Sequence, residues 1–485
     1  MLKNVVNILV AFSFVILIGC ASTSKLDVSD ASKLDRSKAP KGDNPKAVVF
    51  PKFKEATLSN GLDLIVIENS AYPLVSISIT SRGGSYYDGD KIGVSSLTSN
   101  LLTKGTTTRN AMQIANEIAF LGSSLNSFSI SDGNNVTAST LKKNLNKTLD
   151  ILADCILNPT FAEDELKREV TQRLAGIKQG KTDPNTLAEN RFTKVVFGDE
   201  MPYGNSISGT ETSLNSITVS DLKTFYTNYF IPNNTFCIVS GDITLEEVVA
   251  LLEEKLKDWK NGKSHLVATA DDSKVPATKV VVVNRDAAVQ SAIRIGCLIP
   301  DKANPDINKL STLNTYLGGY YRSQLFQKLR EEKSYTYGVS SSIDARLFTG
   351  IFAVRTQVGS QFTEGAVEDI LDEIKKLSTT PIPDDRLNEV KSYLIGSFPM
   401  QIQTNAQVAD LLVFLKLYNL PMNYYDNYIS SVQGTTKEDL MKIAQKYLDV
   451  SKMSIVISGD NEIIAPMLSK FGNVESVDAD GQPLK

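Results

Sequence analysis

The chain has 485 residues, 42% of them apolar and 22% charged, the proportions of a globular protein with two to four domains. Fifty-one basic residues face 55 acidic ones with no long block of one sign, which argues against nucleic acid as a partner. Cys155, Cys237 and Cys297 are far apart, in apolar contexts and without CxxC spacing, so buried free thiols are expected rather than a disulfide framework or a cysteine zinc site.

In chain order, residues 1–20 combine a basic start (MLKN) with one apolar run (VVNILVAFSFVILIG). A run this short at the N-terminus reads as an export signal rather than a spanning helix. Its Leu-Ile-Gly-Cys ending resembles a bacterial lipobox, which makes Cys20 the expected lipidation site and the membrane anchor. An ordinary cleaved signal with a chance cysteine is the alternative. Residues 21–50 are rich in Ser, Lys, Asp and Pro and nearly free of aromatics, the composition of a flexible tether.

The folded part begins with GLDLIVIENSAYPLVSISITSRGG, two β-rich runs around a polar turn. GVSSLTSNLLTKGTTTR, starting at Gly93, reads as an apolar-faced helix entering a turn, and LGSSLNSFSISDGNNVT as an alternating strand. Long helical stretches follow. TVSDLKTFYTNYFIPNNTFCIVSGD, from Thr218, then lines up without a gap on TKEDLMKIAQKYLDVSKMSIVISGD, from Thr436. Each copy has a Thr N-cap, an acidic first turn, an amphipathic helix and an apolar strand ending in Ser-Gly-Asp. ATKVVVVNRDAAVQSAIRIGCLIP repeats the opening pair of strands, and the polar GKSHLVATADDSKVPA between the copies reads as a hinge.

The expected architecture is therefore α+β: two homologous domains, each with helices on one face of a mainly antiparallel sheet. The N-terminal domain spans 51–262, the linker 263–278 and the C-terminal domain 279–485.

Over nearly the whole chain after the tether, the sequence resembles the pitrilysin-like M16 zinc peptidases, close to the bacterial M16B type. Active members carry His-x-x-Glu-His inside a frame like G-L-A-H-L-L-E-H-M-L-F-K-G-T. Gly93, Leu97, Leu102, Lys104, Gly105 and Thr106 match that frame. The two metal-binding His positions fall on Ser96 and Asn100, and the general-base Glu on Ser99. The third ligand, a Glu eight residues before a Pro, falls on Gly176, ahead of Pro184. Chemistry agrees: a hydrolytic zinc needs three protein ligands and an open position for water. The one histidine, His265, lies in the polar linker and is expected to be solvated. No metal ligand set and no catalytic residue are expected in this chain.

The second half keeps more of the resemblance. LGGYYRSQLFQKLREEKSYTYGVSSS is similar to G-G-x-x-S-R-L-F-x-x-L-R-E-x-x-G-L-x-Y-x-V. In active members an Arg and a Tyr seven residues later reach toward the substrate, and here these are Arg330 and Tyr337. A guanidinium fork and a phenol suit a peptide carbonyl or carboxylate. Spacing alone reads otherwise, with Arg330 paired to Glu331 or Glu332 and Tyr337 half-buried on a strand. The frame's frequent Gly is Ser334 here, followed by Tyr335 in place of Leu. The resemblance also makes the strand carrying Asn126 and Ser127 a substrate-binding edge.

Taken together, the resemblance implies a non-catalytic, substrate-binding subunit of a heterodimeric zinc metallopeptidase. A homologous chain with an intact motif would supply the zinc, peptides would be the substrate, and a lipid on Cys20 would hold the pair in the bacterial envelope, facing the periplasm. The alternative is a peptide-binding or structural envelope lipoprotein without proteolysis.

Overall fold

The computed structural model describes residues 49–266 and 277–484. The expected signal, Cys20 and nearly all of the tether lie outside the described residues, as does most of the polar linker. Phe50, at the end of the expected tether, is buried and stacks on Tyr425 with ring centroids 5.2 Å apart.

Two six-stranded sheets carry the fold. The first contains β1 (Lys54–Thr57), β2 (Asp63–Glu68), β3 (Leu74–Arg82), β4 (Ser124–Ser129), β5 (Gly133–Leu141) and β6 (Thr235–Gly241), in the order β1-β2-β6-β3-β5-β4. The second contains β7 (Val280–Asn284), β8 (Gln290–Ile299), β9 (Val339–Ala345), β10 (Gly350–Gly359), β11 (Ser454–Gly459) and β12 (Val474–Val477), in the order β12-β7-β11-β8-β10-β9. Five strands correspond one to one. In each sheet the closing strand runs parallel to the opening one, as in Ile65 opposite Ile238 and Val282 opposite Ile457, and antiparallel to its other neighbour. The sixth strand breaks the symmetry: β1 is the first strand of its half and pairs antiparallel with β2, whereas β12 is the last strand of its half and pairs parallel with β7.

Six helices matter for the argument: α1 (Val94–Leu102), α2 (Glu163–Gly180), α3 (Pro184–Phe197), α4 (Val219–Tyr229), α5 (Asn405–Leu417) and α6 (Lys437–Tyr447). The duplicated helices α4 and α6 begin alike. Thr218 accepts from the amide of Asp221, and Thr436 from that of Asp439, each within a reciprocal capping box. The stretch from Leu121 to Thr137 read as one strand is a hairpin, β4 returning as β5.

Each half's own helices cover one face of its sheet, and the opposite face is covered by a helix from the other half. In the first sheet Leu64, Val66, Cys237 and Val239 face that half's helices, while Ile65, Ile67, Phe236 and Ile238 pack on Val408, Leu412 and Leu415 of α5. In the second, Val280, Val282, Ile455 and Ile457 join the local core, while Val281, Val283 and Val456 pack on Leu187, Phe192 and Val195 of α3. Alternate residues of a strand point to opposite faces, so double cover makes β6 and β11 continuously buried runs. Each fully buried Phe, Leu or Ile contributes about 2 kcal/mol. Gly296 on β8 belongs to this exchange, because a Cβ there would lie 2.9 Å from the ring of Phe192.

Polar contacts reinforce the exchange. Glu189 of α3 accepts from Arg294 at 2.7 Å and from Arg355 at 2.6 and 2.8 Å, with Arg294 only 5% exposed. Asp132 accepts from the Tyr203 hydroxyl and, at 3.2 Å, from the amide of Leu347. A hinge movement of one half on the other would strip α3 and α5 from the sheets they cover. The three thiols are free and buried, and burial pushes each up to about 12. His265 is exposed.

Candidate functional site

Helix α1 starts at Gly93, whose φ of 97° suits glycine and whose missing Cβ lets Gly209 approach. The Asp88 carboxylate holds its first turn, accepting from the amides of Gly93 at 2.6 Å and Ser95 at 3.0 Å. Burial pushes Asp88 up to about 6, although these two bonds pull the other way.

Of the positions where the sequence frame expects metal chemistry, Ser99 and Asn100 are engaged by neighbours, and Gly176 is exposed. Ser96 is buried. The Ser99 hydroxyl donates to Asn134 Oδ1 at 3.0 Å, and Asn134 Nδ2 donates to the carbonyl of Gly83 at 2.9 Å. The Asn100 amide donates to Glu169 Oε1 at 3.1 Å, and the same oxygen accepts from Arg173 Nε at 3.0 Å. Burial opposes the Glu169 charge, but the Asn100 and Arg173 bonds outweigh it and hold the carboxyl below its ordinary range. Gly176 is on α2 with Glu169 and Arg173, and a Cβ built on it would meet no atom within 4 Å.

These residues do not fit a zinc ion. Two hydroxyls, a carboxamide already donating to a carboxylate and a glycine offer neither imidazole nor a free carboxylate. Among the described residues no three His, Cys, Asp or Glu side chains come together to hold a metal.

The second-half pair sits in a different environment. Leu329 is fully buried and anchors the helical turns Gln327–Glu332, which end with the amide of Lys333 bonded to the carbonyl of Lys328. Ser334 follows with φ 53°, in the left-handed region where glycine is at ease, which accounts for the Gly of the sequence frame at this position. The chain then leaves the core, and Tyr335 stacks on Phe362 at 4.9 Å. Tyr337 lies in the loop before β9, 93% exposed, not half-buried on a strand. The Arg330 guanidinium lies over the Phe326 ring, 4.8 Å from its centroid, with Nε 3.7 Å from Glu331. The expected ion-pair neighbour is thus present, but long and half exposed, and such a pair contributes little.

Asn126 and Ser127 lie on β4, which pairs only with β5 and forms one edge of the first sheet. Asn126 faces solvent, and the Ser127 hydroxyl is buried without a hydrogen-bond partner. Sequence reasoning missed Glu169, Arg173 and Asp88. The first two carried a signal, a Glu and an Arg four apart on a helix with Gly176 three further on.

An α+β fold written twice, with a peptidase's metal positions replaced in the first half, defines an inactive-type scaffold of the zinc-peptidase class. The family model for insulinase (peptidase family M16) matches residues 64–211, and that for the peptidase M16 inactive domain matches residues 216–394. Together they span more than half of the sequence, and the chain belongs to peptidase family M16.

Among curated relatives, an uncharacterized zinc protease of Rickettsia felis is 26% identical, over 85% of this chain and 98% of that protein. The non-peptidase homolog YmxG of Helicobacter pylori is 22% identical, over 81% and 91%. Among solved structures, a peptidase M16 inactive domain from Pseudomonas fluorescens superposes with a TM-score of 0.79 at 24% identity, over 84% of this chain and 98% of that one. A protease from Helicobacter pylori gives 0.78 at 20%, over 84% and 99%. These two likenesses concern the fold.

Proposed function

We propose that this chain is the non-catalytic, substrate-binding subunit of a two-chain zinc metallopeptidase, its zinc site supplied by a homologous partner. The observation that carries the reading is Tyr337, a large aromatic side chain 93% exposed whose hydroxyl has no hydrogen-bond partner among the described residues. A phenol held out by a core-anchored turn, with a half-exposed guanidinium one short segment earlier, offers directed donors to the backbone of an extended peptide. The β4 edge, with Asn126 outward, offers main-chain pairing to the same class of ligand. Lipid attachment at Cys20, tethering the pair on the periplasmic side of an envelope membrane, belongs to the proposal.

The test is affinity capture from native membranes with the full chain as bait, followed by a peptidase assay on the eluate. Recovery of a homologue bearing His-x-x-Glu-His, with chelator-sensitive cleavage, is the expected result. With the pair reconstituted, Arg330→Ala and Tyr337→Phe should each lower peptide turnover about tenfold or more. Unchanged turnover would remove the substrate-binding assignment, and capture without any such homologue would remove the subunit assignment.

A further inference from the structure

A positive charge stands beside the degenerate metal positions. Arg173 stands on α2 between Glu169, four residues before it, and Gly176, three residues after it, so all three lie along one helical face. Its side chain is 9% exposed, and that of Glu169 17%. The guanidinium bonds to Glu169 Oε1 at 3.0 Å through Nε and to the carbonyl of Ser208 at 3.3 Å through Nη1. Its charge also acts on Asp88, at the start of the helix that carries Ser96 and Asn100. Asn100, one of the former ligand positions, meets Arg173 on a single carboxylate oxygen. Gly176 is exposed, and a Cβ there would meet open space.

We propose that the Arg173 guanidinium is the resident cation at these positions: it takes the electrostatic place of a divalent metal, neutralises the partly buried Glu169, and closes the site to zinc even when the missing ligands are restored. A partly buried carboxylate is steadied by a counter-charge, and a largely buried guanidinium repels a second cation placed beside it more strongly than an exposed one would. The inference holds whether or not a partner chain supplies zinc elsewhere.

The experiment restores the ligands in the full-length chain. One variant carries Ser96→His, Asn100→His and Gly176→Glu; a second adds Arg173→Val. Both are stripped with chelator and titrated with zinc, metal per chain is measured, and circular dichroism and thermal melting check the fold. The second variant should take up about one zinc per chain, and the first should bind at least about a hundredfold more weakly. Equal affinity in the two, or no zinc in a folded second variant, overturns the proposal.

Should either variant fail to fold, a cycle in the native background decides the matter. Arg173→Ala and Glu169→Gln should each lower the melting temperature, the double variant should melt above Arg173→Ala alone, and Arg173→Lys should recover part of the loss. Additive losses would mean that Arg173 is not the counter-charge of Glu169, and the proposal would fail.

Discussion

The α1 region of the first half and the Phe326–Tyr337 segment of the second lie in the intervals between corresponding strands, β3 to β4 and β8 to β9, yet treat their polar side chains differently. In α1 two polar side chains are held by partners inside the fold, Ser99 by Asn134 and on to Gly83, Asn100 by Glu169, which also takes Arg173, while the Thr98 hydroxyl is buried without a hydrogen-bond partner among the described residues. In the second half Tyr337 stands in solvent and Arg330 has one long ion pair and an aromatic neighbour. Internal satisfaction marks residues that hold structure, whereas an exposed pair on a rigid turn marks residues free to meet a ligand. Substitutions in the first region should therefore change stability, and those in the second recognition.

The largest effect is expected where the halves join. Glu189→Ala leaves Arg294 buried without its carboxylate and should cost about 3 kcal/mol in denaturant unfolding. A loss as small as that of a surface substitution would show that the reciprocal helices alone hold the halves together. Next, Asn134→Ala strands the Ser99 hydroxyl and the Gly83 carbonyl, and should cost about 2 kcal/mol while leaving peptide recognition intact.

Asp88 gives a pH-dependent effect with a defined sign. Its folded pKa is raised from 3.8 to about 6, so the folded state holds the proton more tightly than the unfolded chain. The resulting stabilisation is fully present below about pH 4 and is lost as pH rises through about 6. Asp88→Asn cannot ionise, so its stability relative to the native chain should rise across that window. A flat difference would mean that the two amide bonds keep the carboxylate charged.

The smallest effect belongs to the second region. Tyr337→Phe should shift stability by no more than about 0.5 kcal/mol, since the side chain is exposed and its hydroxyl has no hydrogen-bond partner among the described residues. A larger loss would erase the contrast between the two regions.

Much of the architecture was legible because its signals are local. The Thr218 and Thr436 caps, the amphipathic helices after them and the Ser-Gly-Asp strand ends sit within a few residues of what they determine. The exchange of α3 and α5 was not legible, because a buried helix face does not say which sheet it covers. The hairpin at Leu121–Thr137 was missed although Asp132-Gly133, a strong turn signal, stands where its two strands join. At the site, Gly176 was found by its distance from Pro184, whereas the meeting of Arg173 and Asn100 on Glu169 depends on two helices brought together by the core. Ser334 was noted as a departure from glycine, and its left-handed backbone shows that the turn survives the substitution.

The reciprocal cover has a consequence for how such a chain is born. Synthesis runs from the N-terminus, and the outer face of the first sheet, with Ile65, Ile67, Phe236 and Ile238, has no lid until α5 has been made. For that interval a broad apolar surface stands open, and contacts spanning more than three hundred residues must form late and slowly. Neither half is then a self-contained folding unit. Expressed alone, each would display the surface its sibling was meant to hide.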